Sequence, residues 1–552
     1  SSGLFGFGWS TKYDESIILY GDKGIRLSQP DGRAVFFGRL ETTIPYTSYS
    51  PGVVAQITPN ANGTYTLTYK DGQVRTFNSA GRLVSTADRN GNLTTLSYDT
   101  GGRLIGVTDA AGRTLTFTPN INGTIAQISD SLGTVADYEY YANTTLLKSV
   151  TKSDGSKFKF EYVNRVINGQ TKTYLATVKD AVDNILETHA YDTLGRATTS
   201  EKHGGVEKYT IEYTVQASPG GVGLSTVTDA LGRVTKYHYY RFFGSNIVFK
   251  TEGSCSCGGS GIETTTYEYD IANSWLNLNK KIDALGRQTT YKYDGYQNVI
   301  EETDPFGKQK WTYNSFGQVL TYKDRVDSQN LDPNVNTAVL TYNTNGNLKT
   351  YTDAVGKITT LEYPTANNVG LPDSIKDARN NVTKFKWFAT SGLLDEIEDP
   401  YTKKTKFTYD ARGRTKTVTN ALNHLTQYNY FDDTQRKVEM IYPNLDKITY
   451  KYDIRRLLES VTDERGKITS YEFDPAYRLK KITDPLAHVK EFGYDLMSHM
   501  TSYKDPLGND TNYVFDDFDR LKEITHPAAV AGATRLTEKF EYDKLGRIKK
   551  YT

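Results

Sequence analysis

Hydrophobic and polar positions alternate with a period of two along most of this chain. Aromatic side chains stand two apart around one intervening residue at Tyr267/Tyr269, Tyr291/Tyr293, Trp311/Tyr313, Phe385/Trp387, Phe407/Tyr409, Tyr450/Tyr452, Tyr471/Phe473, Phe492/Tyr494, Tyr513/Phe515 and Phe540/Tyr542. Two is the period of a strand, so each pair of rings lies on one face and the Lys, Glu or Thr between them on the other. No stretch approaches the roughly eighteen consecutive apolar residues of a membrane-spanning helix.

Short turns separate these strands. One set runs Asp109 to Gly112, Asp229 to Gly232, Asp283 to Gly286, Asp304 to Gly307, Asp353 to Gly356 and Asp463 to Gly466. A second set follows a tyrosine: Asp99 with Arg103, Asp192 with Gly195, Asp410 with Gly413, and Asp543 with Gly546. An aspartate opening such a turn accepts backbone N–H bonds, and the glycine takes a positive φ that other residues resist. The aspartates recur every 21 residues at 88, 109 and 130, at 283 and 304, and at 463, 484 and 505. Asp353, Asp377 and Asp399 keep the register approximately, Asn420 stands in for an aspartate, and the gaps from Asp130 to Asp180 to Asp229 read as longer repeats. Two strands of about six residues and two turns fill a unit, which predicts an antiparallel meander of roughly twenty units.

Composition sharpens this picture. The 552 residues include 42 Tyr and 46 Gly but only 3 Met and 2 Cys, and Tyr-Asp occurs nine times where chance gives about three. A two-sheet sandwich would need strands rich in Val, Ile and Leu. Tyrosine instead supports cross-strand contacts while keeping its hydroxyl wet, which predicts a largely single-layer all-β sheet with water near both faces. Such a sheet twists as it lengthens and curls into a spiral, tube or shell. The 66 Lys and Arg balance 65 Asp and Glu, so no nucleic-acid partner is expected. Cys255 and Cys257 are too close for an unstrained bridge and give no disulfide framework. Ser1 to Ser10 lack a basic start followed by an apolar core, so no export signal is visible in this chain.

These motifs resemble the YD-repeat, or RHS-repeat, family of bacterial Rhs polymorphic toxins, wall-associated YD proteins, Tc toxin C components and animal teneurins. The match is close in Tyr98 to Phe117 and Asp283 to Tyr293, and looser from about residue 80 to Thr552. The opening Gly6, Phe7, Gly8, Trp9 and Ser10, followed by Tyr13 and Asp14, is similar to the segment that precedes the repeats in bacterial members. The resemblance implies a hollow β-shell of spiralling hairpins that, in toxin members, encloses a C-terminal effector. It divides the chain into a lead-in over 1–79 and a repeat shell over 80–552 with an insertion near 241–261. The family's closing core is not recognisable, Asp304-Pro305 and Asp505-Pro506 sit in register as ordinary turns, and the chain is expected to be part of a longer protein.

No catalytic constellation emerges, because nearly all aspartates open turns and a structural role suffices for them. The histidines at 189, 203, 238, 424, 488, 499 and 526 show no metal-ligand spacing, so no metal or cofactor is expected. The rings at 267, 269, 291, 293, 311, 313, 407, 409, 450, 452, 540 and 542 form an aromatic ladder whose faces suit sugars, although a structural ladder needs the same residues. The leading expectation is a non-enzymatic, secreted or cell-surface scaffold, part of a shell around a C-terminal toxin or other cargo of the same longer chain, with a secretion apparatus as a further partner. The alternative is an adhesive or structural protein that binds surface glycans or assembles into fibres.

Overall fold

The computed structural model describes residues 2–42, 44–50, 52–216, 218, 220–242, 245–253, 263–270, 276–326, 337–364, 370–530, 532–542 and 547–552. Cys255, Cys257, Asp543 and Gly546 lie outside the described residues, as does much of the segment 241–261. Among the described residues the chain forms fifty strands and two single turns of 3-10 helix. Pairing is antiparallel and follows chain order, as in Gln288–Tyr293 with Val299–Asp304, and Val299–Asp304 with Gly307–Tyr313. The fold is an all-β hairpin meander.

Full burial is concentrated at the start of the chain. Ile25, Leu27, Val35, Phe37, Ile57, Leu67, Phe77 and Leu83 are at most 3% exposed and belong to one cluster. They alternate with more exposed neighbours along strands such as Gly24–Ser28 and Ala34–Gly38, so one face of each strand points inward. The first strand of this group, Ser16–Tyr20, returns to the turn before Leu83: the Ile17 N–H donates to the Gly81 carbonyl at 2.9 Å, and Ser16 bridges to Arg82. The strands from Ser16 to Ala87 therefore wrap around a shared core, and the expectation of water near both faces fails here. The cause is the aliphatic content of the inward positions, where Ile, Leu, Val and Phe each gain about 1.5–3 kcal/mol on burial.

Beyond Phe160 the pattern changes. Among the described residues, the buried hydrophobic side chains after that point are Ile167, Val206, Tyr239, Ala338 and Phe518. A typical later strand, Lys404–Tyr409, alternates exposed Lys404, Lys406 and Thr408 with half-buried Thr405, Phe407 and Tyr409. Contacts group the chain into two units, residues 1–147 with 269–280 and 288–428, and residues 148–268 with 281–287 and 429–552. The aliphatic core belongs to the first.

The opening segment is tied to that first unit through its backbone. Phe7 donates to the Thr145 carbonyl at 3.0 Å, and the Leu4 carbonyl accepts from Ile125 at 2.9 Å. Gly6 has φ +96° and lies so close that an added Cβ would fall 1.9 Å from the Thr145 oxygen. Tyr13 and Asp14 do not make a hairpin turn: they sit in a 3-10 turn, Lys12–Asp14, where the Asp14 carboxylate accepts the Leu4 and Thr11 N–H groups at 2.8 and 2.7 Å. Truncating Leu67 to Ala should cost about 2–5 kcal/mol. Hydrogen exchange in Ala55–Pro59, Tyr65–Tyr69 and Val74–Phe77 is the readout, and exchange in Lys404–Tyr409 should stay unchanged.

Candidate functional site

Most repeat turns are closed by their own aspartate, and an asparagine takes its place at Asn314, Asn343 and Asn420. At Asp109 the carboxylate Oδ1 accepts the N–H groups of Ala111 and Arg113 at 2.9 and 3.0 Å, and Oδ2 accepts Arg113 Nε at 2.8 Å. The backbone adds two bonds, Asp109 N–H to the Arg113 carbonyl and Gly112 N–H to the Asp109 carbonyl, with Gly112 at φ +76°. The same arrangement, with Arg Nε 2.6–2.7 Å from Oδ2, recurs at Asp99, Asp192, Asp229, Asp283 and Asp410. Gly195, Gly232, Gly286 and Gly413 hold the positive φ in their turns. Asp463 accepts from Arg465 and Lys467 at 2.9 and 2.8 Å, with Gly466 at φ +72°. Asp304 differs: it pairs directly with Gly307 across a two-residue tip, its carboxylate accepts the Phe306 N–H at 2.9 Å, and its other oxygen pairs with the Arg325 guanidinium from a later strand. Hydrogen bonds from the Arg103 backbone and side chain hold the Asp99 carboxyl below the usual range.

A tyrosine just before the turn's aspartate or asparagine bonds back to the preceding hairpin in several repeats. Tyr98 donates its hydroxyl to the Leu83 carbonyl at 2.6 Å, Tyr293 to Leu278 at 2.9 Å, Tyr313 to Val299 at 2.7 Å, Tyr409 to Leu394 at 2.9 Å and Tyr542 to Leu521 at 2.6 Å. In each case the acceptor is the first residue of a strand in the preceding hairpin. The expected wet hydroxyl is thus corrected: the ring lies half-buried against the sheet, and its tip meets a carbonyl at the strand end. Burial pushes the Tyr98 phenol up to about 12.

Turn and tyrosine are linked through arginine. Asp192 holds Arg196 at 2.7 Å, the Arg196 guanidinium lies 4.2 Å from the centre of the Tyr213 ring, and the Tyr213 hydroxyl donates to the Ala197 carbonyl at 3.0 Å. Asp516, Arg520, Tyr542 and Leu521 repeat the arrangement, with the guanidinium 4.5 Å from the ring. Asp474, Arg478, Tyr494 and Leu479 repeat it again at 4.9 Å. Each aspartate therefore orients the cation on which the next tyrosine rests.

The remaining ladder rings share the half-buried face, as Tyr267, Tyr269, Tyr291, Trp311, Phe407, Tyr450, Tyr452 and Phe540 show. They do not stack continuously. Trp311 meets Tyr322 at 5.6 Å and Phe540 meets Tyr551 at 5.3 Å, but Phe407 pairs across with Val418 and Tyr450 with Val461.

Two polar clefts of about 510 and 740 Å³ adjoin in the first unit and share Lys12, Tyr13 and Thr94. Beneath the smaller one, Glu15 is 3% exposed and pairs with Arg75 at 2.6 Å. Burial raises its carboxyl, against the pull of Arg75. This ion pair spans sixty positions and leaves no local signal in the sequence. Among the described residues no three His, Cys, Asp or Glu side chains gather at metal-binding distance.

Two segments of the chain, residues 77–114 and 276–309, match the family model described as RHS Repeat. No curated protein matches the chain. A crystal structure described as TcdB2-TccC3-Cdc42 is similar over 98% of this chain and 36% of its own length, at 12% identity and a TM-score of 0.46. A Tc holotoxin pore structure from Photorhabdus luminescens is similar over 96% of this chain and 29% of its own, at 13% identity and a TM-score of 0.30. The chain spans about a third of the length of these structures.

Changing Tyr293 to Phe removes one hydroxyl bond and should cost about 1 kcal/mol, while Asp283→Ala, which frees two turn N–H groups and Arg287, should cost about 1–2 kcal/mol. Local hydrogen exchange in the affected hairpins measures both. Asp99, Asp377 and Asp505 all have carboxyls lowered by turn hydrogen bonds. Their stabilisation is complete above the unfolded value of about 3.9 and is lost as pH falls through the lower folded values. The thermal midpoint should therefore be flat above about pH 5 and decline below about pH 4.

Proposed function

We propose, from the two segments that match the RHS Repeat model, that the chain belongs to the YD-repeat, or RHS-repeat, family and forms part of a non-enzymatic β-shell that confines a C-terminal toxin or other cargo domain of a longer polypeptide. The observation that carries this reading is the one-layer character of the sheet beyond Phe160, where the fully buried hydrophobic side chains described are few. A sheet with so little core of its own is suited to be a wall. Main-chain ladders close it from strand to strand, within and between hairpins alike, and tyrosine hydroxyls add a side-chain bond at the strand starts. Confinement is then the mechanism: the wall excludes proteases and holds the cargo in a restricted state. A secreted or cell-surface location and a secretion apparatus as partner belong to the same proposal.

A second reading, carbohydrate adhesion, is favoured by the polar cleft beside Tyr13, where Gln29, Gln73 and Asn92 flank one aromatic ring. In the native particle that contains this chain, a cargo inside the shell should survive protease concentrations that degrade the same cargo alone. Equal rates of cleavage would contradict confinement. Retention on cell-wall polysaccharide that disappears in Tyr13→Ala, with the unfolding midpoint unchanged, would shift the assignment to adhesion.

A further inference from the structure

In the second unit two stretches of chain, 148–268 and 429–552, meet turn against turn. Four successive turns of the later stretch face the earlier one, at 453–457, 474–478, 495–499 and 516–520. In the repeat motif the fourth residue of such a turn is the glycine at positive φ. Here all four positions carry something else: Arg456, Tyr477, Ser498 and Asp519, at φ +68°, +68°, +68° and +61°. Left-handed backbone disfavours Arg, Tyr and Ser and is easier for Asp.

Those four side chains cross, as does Arg436 from the turn before them, at φ +45°, whose Nη1 donates to the Asp154 carbonyl at 3.1 Å. Arg456 Nε donates to Asp154 Oδ2 at 2.7 Å and to Ser156 Oγ at 3.1 Å. The Tyr477 hydroxyl donates to Asp180 Oδ2 at 3.0 Å. Ser498 Oγ donates to Glu207 Oε1 at 3.0 Å, and Asp519 Oδ1 accepts from Arg233 Nη1 at 2.5 Å. Two of the receiving groups are buried, Asp180 at 1% and Asp154 at 5% exposure, and Glu207 is half-buried. Backbone contacts accompany them: Glu207 N–H donates to the Leu496 carbonyl at 2.7 Å, and Asn184 Nδ2 to Pro475 at 2.9 Å.

The spacing shows a matched register. The crossing residues advance by 21 positions each, whereas their partners at 154, 180, 207 and 233 advance by 26 or 27. The surplus lengthens strands instead of adding hairpins: Lys157–Ile167 and Gln170–Lys179 have 11 and 10 residues, against 5 and 6 in Leu458–Thr462 and Ile468–Phe473. Hairpin therefore meets hairpin one to one. The opposite edge of the later stretch behaves differently. Its left-handed positions are Leu445, Gly466, Ala487 and Gly508, and Leu445 is 82% exposed. In the first unit Gly413 keeps the glycine, and there the facing Arg113 guanidinium occupies the space a Cβ would need, at 2.6 Å.

We propose that on this edge the left-handed residue of the aspartate turn is the recognition position of a turn-to-turn interface, and that its side chain specifies which hairpin of the facing stretch it meets. Glycine stands where a facing side chain comes in; Arg, Tyr, Ser or Asp stands where the turn's own side chain reaches out to an acidic or cationic partner. This inference concerns how the sheet is joined to itself and stands apart from what the sheet encloses.

Hydrogen exchange on the full chain tests it. Tyr477→Gly restores the motif and relieves the backbone. If Tyr477 is only tolerated, exchange at 180–184 stays unchanged or slows, and the proposal is overturned. If it is a recognition residue, exchange there rises about tenfold, the loss of one hydrogen bond to a charged acceptor. Tyr477→Phe keeps ring and backbone, so it should give the same rise even if the glycine variant folds poorly; no change would count against the proposal. Ala487→Gly, on the opposite edge, should leave exchange at 180–184 unaltered, and an equal rise there would show a general effect of turn glycine and overturn the assignment.

Discussion

A sheet one layer thick has no interior in which to hide its turn ends, so every reversal of the chain must satisfy its own polar groups. The aspartate carboxylate meets that constraint. Its first oxygen accepts two backbone N–H groups that the hairpin ladder leaves over, and its second fixes the cation that follows, as Asp109 does with Ala111 and Arg113. Remove the carboxylate and two donors lose their partners at once, in a structure that has little hydrophobic burial to compensate.

The side-chain coupling that supplements the main-chain ladder between hairpins rests on that local solution. Because Asp192 sets the position of Arg196, Tyr213 finds both a guanidinium under its ring and the Ala197 carbonyl at its hydroxyl. No single contact is strong, since a neutral hydrogen bond contributes about 1 kcal/mol and an exposed cation–π pair about as much. Strength comes from repetition, as in other arrays where each unit leans mainly on its neighbours. The first unit differs because it carries an aliphatic core around Leu27, Phe37 and Leu67, to which the opening segment is fastened through Gly6 and Phe7.

Much of this is legible in the residues. The 21-residue spacing, the aspartate turns and the period-two rings identify hairpins because turn chemistry and strand alternation are local. Three features are not local. The tyrosine hydroxyl reaches a carbonyl about fifteen positions back, as Tyr98 does to Leu83, and composition alone suggested a wet tip. The Glu15–Arg75 pair and the wrapped core depend on which strands return to one another, although aliphatic alternation in Ile25, Leu27, Val35 and Phe37 was a usable signal. The crossing side chains were visible only as departures from the motif: Tyr477 and Ser498 look like imperfect turns until Asp180 and Glu207 are placed opposite them.

The central claim is that self-sufficient turns and tyrosine links allow a one-layer sheet to serve as a wall. An electron cryo-microscopy reconstruction of the native particle that contains this chain tests it most directly. The account predicts a continuous wall of hairpins one sheet thick around enclosed density. A solid rod with packed sheets, or an open trough with nothing inside, would contradict it.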